Sequence, residues 1–246
     1  MDSNKEISLQ LKNVSKSFKT YNKSYATVRQ RLVNLHKKNE VKNIEALKNI
    51  NLEIYKGECV GVIGRNGSGK STLTKVMSGA FRPNKGGSVK KIGTSLLLNL
   101  GVGFSHELTA RENIYVNGST LGLRIKEIDL IFDDIIAFAE LEEFIDTKIK
   151  YYSTGMIQRL SFSIAIYAKA DIIFLDEIFA VGDEKFQQKS TKVLEENWIK
   201  GRTAIIVSHS ADLVDKYCER TIVMHNGEMV FFGNTTEAIA AYRSLK

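Results

Sequence analysis

The 246-residue chain is poor in cysteine and proline, with two cysteines and a single proline, Pro83. Cys59 and Cys218 are far apart in sequence, and Cys59 lies in a strongly apolar strand pattern. This usage favours two reduced structural thiols in a cytosolic protein. Without a second Cys or His close to either of them, a zinc site has no support in the sequence.

Long apolar runs are also missing. No apolar stretch follows Met1, so we expect no signal peptide. The longest apolar stretches, such as Ile172–Leu175, are far shorter than the roughly 18 residues that a membrane-spanning helix needs. We therefore expect the protein to touch a membrane only through a partner or a surface segment.

Positive charge is concentrated in one segment and scarce elsewhere. The chain has a net charge of +7, and residues 19–44 carry seven basic side chains and one acidic one, a net charge of +6. The nearly neutral remainder argues against a broad nucleic-acid-binding face. Within the segment, Val28, Leu32 and Leu35 form an apolar stripe at helical spacing. Two interpretations stay open: a solvated surface helix, or a helix on a membrane surface that attracts anionic groups.

The apolar pattern alternates between strand and helix periods along the chain. Strands are predicted over Ile7–Val14, Ala46–Ile54, Cys59–Ile63, Asp171–Leu175 and Thr203–Val207, and over the hairpin pair Thr221–Met224 and Glu228–Phe232 around Asn226-Gly227. Helices are predicted over about Lys70–Ser78, Glu112–Leu121, Ile128–Ala139, Ser153–Ile166, Glu184–Trp198 and Thr235–Ser244. Strands that alternate with helices predict an α/β fold with a mainly parallel sheet and helices on both faces.

A glycine-rich loop follows the third predicted strand and opens a helix. It fits the pattern G-x-x-x-x-G-K-[S/T], in which backbone N–H groups and a helix N-terminus surround phosphate oxygens. Lys70 would reach the β- and γ-phosphates, and the Ser71 hydroxyl would bind Mg²⁺. The predicted nucleotide-binding residues of the loop are Gly64, Asn66, Gly67, Ser68, Gly69, Lys70, Ser71 and Thr72.

A second motif is the apolar run Ile172–Leu175, which ends in two carboxylates, Asp176 and Glu177. Ligands of open α/β sheets bind at the carboxyl ends of the strands, so these groups should face the nucleotide. Asp176 would hold Mg²⁺ directly or through water. Glu177 would orient and polarise the water that attacks the phosphate.

A third motif lies between the other two. Residues 152–156 read Tyr-Ser-Thr-Gly-Met and are followed by Gln158 and Arg159. With all three motifs, the chain resembles the ATP-binding subunits of ABC transporters over nearly its whole length. The resemblance implies one P-loop ABC ATPase domain over residues 1–246, with ATP and Mg²⁺ as cofactors. It also implies an N-terminal antiparallel β region, a basic insertion at about 19–45 and a helical subdomain at about 106–168.

The third motif stands where the family has its signature sequence. Ser153 is a good N-cap, and a helix start near Ser153 and Gly155 can bind a γ-phosphate. Because the chain's own loop already covers one side of the nucleotide, the family arrangement places the signature against the ATP of a second copy. The resemblance therefore implies a dimer of two chains that encloses two ATP molecules.

The resemblance assigns roles to four further residues. Asp183 corresponds to the aspartate of the loop after the catalytic glutamate, and His209 to a second catalytic residue, the switch histidine. Phe18 is in register with the aromatic residue that stacks on adenine, although Tyr21 or Tyr25 could replace it. Asn99 is the nearest amide to the place of the family's Mg²⁺-sensing glutamine, which this sequence lacks.

Four segments resemble a subgroup that exports bacterial polysaccharides, namely O-antigen, capsule and teichoic acid. They are residues 101–104, 107–113, 153–156 and 179–186. The resemblance implies an ATPase peripheral to the cytoplasmic face of the bacterial cell membrane, paired with a polytopic permease. A lipid-linked glycan is the implied cargo, and its pyrophosphate is a second anionic group that the basic insertion could attract. No nucleic-acid partner is expected.

Three alternatives to polysaccharide export are weighed against it. A transporter subunit with a different cargo would share all of these motifs. A non-transport ABC ATPase usually has two such domains in one chain or a long coiled coil between the loop and the signature, and neither is present here. A P-loop kinase would leave residues 152–159 unexplained.

Overall fold

The computed structural model describes residues 6–21, 41–98, 103–176, 182–199 and 201–245. Its strands are β1 (Ile7–Tyr21), β2 (Val41–Tyr55), β3 (Cys59–Gly64), β4 (Ser88–Lys91), β5 (Ser95–Leu98), β6 (Ile172–Asp176), β7 (Thr203–Val207), β8 (Arg220–His225) and β9 (Glu228–Asn234). Its α-helices are α1 (Lys70–Ser78), α2 (Ala110–Thr120), α3 (Ile125–Ala139), α4 (Thr154–Ala165), α5 (Glu184–Leu194), α6 (Ala211–Tyr217) and α7 (Thr235–Ser244).

The strands form two sheets. One is an antiparallel sheet with the order β2-β1-β4, and the other has six strands in the order β5-β6-β7-β3-β8-β9. From β5 to β8 the neighbours pair in parallel, whereas β9 pairs antiparallel with β8. The expected α/β fold is confirmed, with a mainly parallel core and an N-terminal antiparallel region.

The central strands are buried on both faces, which explains their continuous apolar sequences. In β3, Val60 and Val62 pack into one core with α1 and the antiparallel sheet. Cys59 and Ile63 point the other way, into a core that contains α5 and Trp198. Side chains of a strand alternate between the two faces, so the four side chains of β3 are divided between the two cores.

A third core lies among α2, α3 and α4, between β5 and β6 in sequence. The start of α2 is fixed by a capping box. The Thr109 hydroxyl accepts the Glu112 N–H at 3.2 Å, and the Glu112 carboxylate accepts the Thr109 N–H at 2.8 Å. Consequently α2 begins at Ala110, two residues before the predicted start.

Other element boundaries also differ from the predictions. The α5 helix ends at Leu194, and Glu195–Ile199 forms a π-helical turn that buries Trp198, a change of period that an apolar 3.6-residue pattern cannot reveal. Strand β1 continues to Tyr21 because it pairs with β2 as far as Val41. The basic insertion was predicted over about 19–45, and its central part, residues 22–40 with the apolar stripe, lies outside the described residues.

Both cysteines are buried, and their Sγ atoms lie 3.6 Å apart as free thiols. The hydrogen bond with Cys59, together with burial, raises the pKa of the Cys218 thiol. Across the ranges that the structure covers, no helix combines the length and the apolar character needed to cross a membrane.

Candidate functional site

The predicted phosphate-binding loop connects β3 to α1. All six residues of β3 are buried between β7 and β8, and α1 begins at Lys70, as expected. Gly69 precedes the helix with φ +107°, and a Cβ atom there would lie 2.6 Å from the Ala46 carbonyl oxygen. Only glycine fits this position, and no side chain caps the helix. The first N–H groups of α1 therefore suit an anionic ligand.

A cation and a buried hydroxyl lie inside the same loop. Lys70 is 6% exposed, and its ammonium group donates to the carbonyl oxygens of Gly64 at 2.7 Å and Arg65 at 3.2 Å. The Ser68 hydroxyl is buried and has no hydrogen-bond partner within the described part of the chain. A buried polar atom without a partner costs free energy, which a phosphate oxygen would recover. The loop therefore fits a polyphosphate.

The loop opens onto a cleft of about 730 Å³. The cleft collects predicted site residues from three separate parts of the sequence. They are Asn66, Gly67, Ser68, Gly69, Lys70, Ser71 and Thr72 from the loop, Asp176 from the end of β6 and His209 from the end of β7. The cleft has the size of a small-molecule binding site.

Sheet register explains why Asp176 and His209 meet at this cleft. Strands β6 and β7 are parallel neighbours in which Asp176 pairs with Val207, so both strands end at the same edge. His209 follows between two serines whose hydroxyls accept backbone N–H groups: Ser208 from Ser210 at 3.0 Å, and Ser210 from the first turn of α6. These turns fix the backbone on either side of the histidine. Glu177, the predicted catalytic carboxylate, lies outside the described residues.

Two oxygen-bearing side chains in the cleft, Ser71 and Asp176, could hold Mg²⁺. Among the residues described, no group of three or more His, Cys, Asp or Glu side chains converges on a metal site. Mg²⁺ in nucleotide sites takes one or two protein oxygens and completes its shell with phosphate oxygens and water. A hydroxyl and a carboxylate fit that requirement. Asn99, the third predicted ligand, falls outside the described ranges.

The signature residues lie elsewhere on the molecule. Ser153 is the N-cap of α4, and its hydroxyl accepts the Met156 N–H at 3.2 Å, as predicted for a cap. A Cβ atom on Gly155 would find its nearest neighbour 3.9 Å away, at the Ser153 hydroxyl, so this helix start is open to solvent. Neither residue lines the cleft of its own chain.

Asp183 makes a contact that the sequence did not reveal. It is the N-cap of α5, where it accepts the Phe186 N–H at 2.9 Å, and it forms an ion pair with Arg159 of α4. The bond from the Phe186 N–H and then the Arg159 charge lower the pKa of Asp183. Arg159 also pairs with Glu140 at 3.3 Å and lies 5.2 Å above the Phe186 ring. Arg159 thus joins α4, the helix that follows Ser153, to the N-cap of α5.

Phe18, the aromatic residue predicted to stack on adenine, packs against a second aromatic ring. The Phe18 ring packs edge-on against Phe81, with 5.6 Å between ring centroids, and Phe18 is not among the residues that line the cleft. Its pairing partner on β2, Ile44, does line the cleft and is 45% exposed. The side chains of Tyr21 and Tyr25 are outside the described set. Adenine stacking by Phe18 stays a prediction.

A β-strand, a glycine-rich loop that ends in a lysine, and a helix, beside an acidic strand end, define a P-loop nucleotide-binding domain. Residues 47–180 match the model of the ABC transporter family, and the chain belongs to this family. In one solved relative, a dimeric ATP-binding cassette in a post-hydrolysis state bound to ADP and Pi, 25% of residues are identical. That match has a TM-score of 0.69 and covers 92% of this chain and 98% of the other.

Curated relatives are more similar in sequence. The O-antigen export system ATP-binding protein RfbB of Myxococcus xanthus is 41% identical over 95% of this chain and 55% of its own length. The teichoic acids export ATP-binding protein TagH of Enterococcus faecalis is 42% identical over 84% of this chain and 46% of its own length. The ABC transporter protein AbcA of Aeromonas salmonicida is 37% identical over 96% of this chain and 76% of its own length. The chain thus spans about half the length of the first two.

Proposed function

We propose that this chain is the ATP-binding and ATP-hydrolysing subunit of an ABC transporter that exports a lipid-linked polysaccharide. It would act as one domain at the cytoplasmic face of the bacterial cell membrane. The observation that carries the proposal is the cleft in which the phosphate-binding loop, Asp176 and His209 meet. The relatives named for O-antigen and teichoic acid export support the cargo class.

In the proposed reaction, Lys70 and the loop N–H groups bind the β- and γ-phosphates and stabilise the charge that develops on them. Ser71 and Asp176 would hold Mg²⁺, which neutralises phosphate charge when bound. Glu177 would orient the attacking water, and His209 at the same edge would contact the γ-phosphate region. This chain's residues thus bind and orient the substrate, as phosphoryl transfer requires.

The proposed active unit is a pair of these chains. A helix start that is open to solvent, with Ser153 as its cap, does not line the cleft of its own chain. Such a helix terminus is suited to a phosphate, and the ATP of a second copy would supply one. ATP would then close the pair, and hydrolysis would reopen it and move a membrane-embedded permease pair that carries the lipid-linked glycan.

Complementation tests this function directly. In bacteria that lack the chain, the wild type should restore surface polysaccharide, and Lys70→Met should not, because the phosphates lose their cation. Lys75→Met is the matched control, since Lys75 lies on the same helix and its ammonium group lies over the Phe81 ring, 5.4 Å from the ring centroid. Export restored by Lys70→Met, in a protein shown not to bind ATP, would refute the proposal.

Purification supplies a second arm of the test. A transport subunit should copurify with a polytopic membrane protein, and the Glu177→Gln variant should form an ATP-dependent dimer because hydrolysis is blocked. Purification without any membrane protein, combined with normal surface polysaccharide in the deletion strain, would point to a non-transport ATPase instead.

A further inference from the structure

The turn of the β8–β9 hairpin lies directly against the phosphate-binding loop. The Gly227 N–H donates to the Ser68 carbonyl oxygen at 2.9 Å, and the Gly227 carbonyl oxygen accepts the Lys48 N–H at 2.8 Å. Asn226 and Gly227 line the same cleft as the loop. A two-residue turn that is remote in sequence is thus bonded to the loop on one side and to β2 on the other.

Strand direction explains this contact. Strands β3 and β8 are parallel neighbours in which Gly64 pairs with Met224, so both end at the same edge of the sheet. The loop that follows β3 and the turn that follows β8 therefore emerge side by side. The turn itself has φ +46° at Asn226 and +83° at Gly227, which are the angles of a tight two-residue hairpin turn.

Three backbones meet at this point with little space between them. A Cβ atom on Gly227 would lie 3.0 Å from the Ala46 carbonyl oxygen and 3.1 Å from that of Glu45. A Cβ atom on Gly69 would lie 2.6 Å from the same Ala46 oxygen, and Gly227 Cα is 3.5 Å from that position. The turn, the loop and β2 therefore pack backbone against backbone, and any added side-chain atom must displace one of them.

The bond to Ser68 also sets the direction of a loop amide. A peptide group is planar and trans, so its carbonyl and N–H point in opposite directions. When Gly227 holds the Ser68 carbonyl, the N–H of Gly69, which shares that peptide, is turned the opposite way. The loop binds phosphate through such N–H groups, so their direction affects the binding of nucleotide.

We propose that the Asn226–Gly227 turn is a positioning element of the nucleotide site, which holds the phosphate-binding loop in the conformation that binds ATP. The proposal rests on the proposed function, because it assumes that ATP is the ligand of this loop. The turn acts through Ser68 and Gly69. Its two backbone hydrogen bonds brace the loop against β2.

The test compares Gly227→Ala with a matched control, Gly57→Ala. Gly57 also has a left-handed φ, +77°, and a Cβ atom there meets nothing within 4 Å. Both variants bear the same kind of backbone strain, but only in Gly227→Ala does the new Cβ atom press on β2, which displaces the turn that is bonded to the loop at Ser68. We expect both to lower Tm by similar amounts, while Gly227→Ala weakens ATP binding about tenfold and Gly57→Ala leaves it within about twofold of the wild type. ATP affinity is measured by titration calorimetry and Tm by circular dichroism.

The outcomes separate the two proposals. Equal ATP affinity in Gly227→Ala and Gly57→Ala would overturn the positioning role and leave the proposed function intact. A wild-type protein that does not bind ATP would instead overturn the proposed function. If Gly227→Ala does not fold, Gly227→Asn takes its place, because asparagine tolerates a left-handed φ and the remaining effect is that of the side chain against β2. Gly57→Asn is then the control, with the same expectation.

Discussion

Asn113 ties the loop that leads into α2 to the start of that helix, and its replacement gives a test of the structure. The side chain is 0% exposed. Its Oδ1 accepts the Ser105 N–H at 2.8 Å, and its Nδ2 donates to the carbonyl oxygens of Ser105 at 3.0 Å, Leu108 at 3.2 Å and Thr109 at 2.8 Å. We expect Asn113→Ala to destabilise the fold.

The magnitude follows from which of these groups keep another partner. The Leu108 carbonyl also accepts the Ile149 N–H at 3.0 Å, and the Thr109 carbonyl accepts the Asn113 N–H at 3.0 Å, so both stay bonded. The Ser105 carbonyl still accepts the Leu108 N–H at 3.2 Å, so only the Ser105 N–H loses its partner. Because Ser105 is exposed, water can replace part of that loss. At about 1–3 kcal/mol for a group that loses its hydrogen bond, the unfolding free energy should fall by roughly 1–2 kcal/mol. For a chain of this size, that corresponds to a fall in Tm of about 2–8 °C.

Asn113→Asp adds a pH dependence that the alanine variant lacks. A carboxylate keeps the Ser105 N–H but faces three carbonyl oxygens, so burial and repulsion should raise its folded pKa above the unfolded value of about 3.9. A raised folded pKa means that stability is highest below the unfolded pKa and is lost as pH rises through the folded pKa. Between the two values, the stability gap to the wild type should widen by about 1.4 kcal/mol per pH unit.

Urea denaturation followed by circular dichroism at pH 5 and pH 8 measures both effects. Thr120→Ala is the control, because Thr120 is exposed on the same helix and its hydroxyl donates to the Val116 carbonyl oxygen at 2.9 Å. This variant should change the unfolding free energy by no more than about 0.5 kcal/mol. If Asn113→Ala changes the unfolding free energy by as little as the control does, water fully replaces the amide, and the expected loss of stability is refuted. An Asp variant whose gap to the wild type is the same at both pH values would contradict the assignment of the three carbonyl contacts.

Two further predictions concern the site. Arg159→Ala should lower the yield of ATP-dependent dimer in the Glu177→Gln background, because the ion pair that joins α4, the helix capped by Ser153, to Asp183 is lost. Arg159→Lys should restore only part of that yield, since a single ammonium group cannot reproduce the planar guanidinium, whose two nitrogens contact Glu140 and Asp183. Gel filtration with ATP measures the dimer yield. An unchanged yield in Arg159→Ala would show that Arg159 does not support dimer formation. His209→Ala should keep ATP affinity within about twofold of the wild type while turnover falls about a hundredfold. Full turnover in that variant would show that His209 takes no part in hydrolysis.

Local sequence chemistry was sufficient to locate the phosphate-binding loop and its helix. The loop was recognised from glycines at fixed spacing, with an apolar strand before them and a helical pattern after them. All three features involve residues that are close together in the sequence. The observed start of α1 at Lys70 agrees with the prediction. The hairpin turn at Asn226-Gly227 was recognised for the same reason, because a tight turn needs residues that tolerate left-handed φ.

The meeting of Asp176 with the loop could also be predicted, because parallel strands share an edge at their carboxyl ends. That rule assigns residues to an edge but does not assign neighbours along it. The position of His209 in the same cleft depends on β7 lying between β6 and β3, an order that no local pattern contains.

The sequence by itself therefore determined the class of fold, the predicted phosphate-binding loop and the helix cap at Ser153. Only the tertiary structure decided that Gly227 braces Ser68, that Arg159 pairs with Asp183 and that the Phe18 ring packs on Phe81. A motif or a helix cap involves residues that lie within a few positions of each other in the sequence, so it can be recognised without the fold. These three contacts join residues from different elements of the fold, and their partners are selected by how sheets and helices pack together.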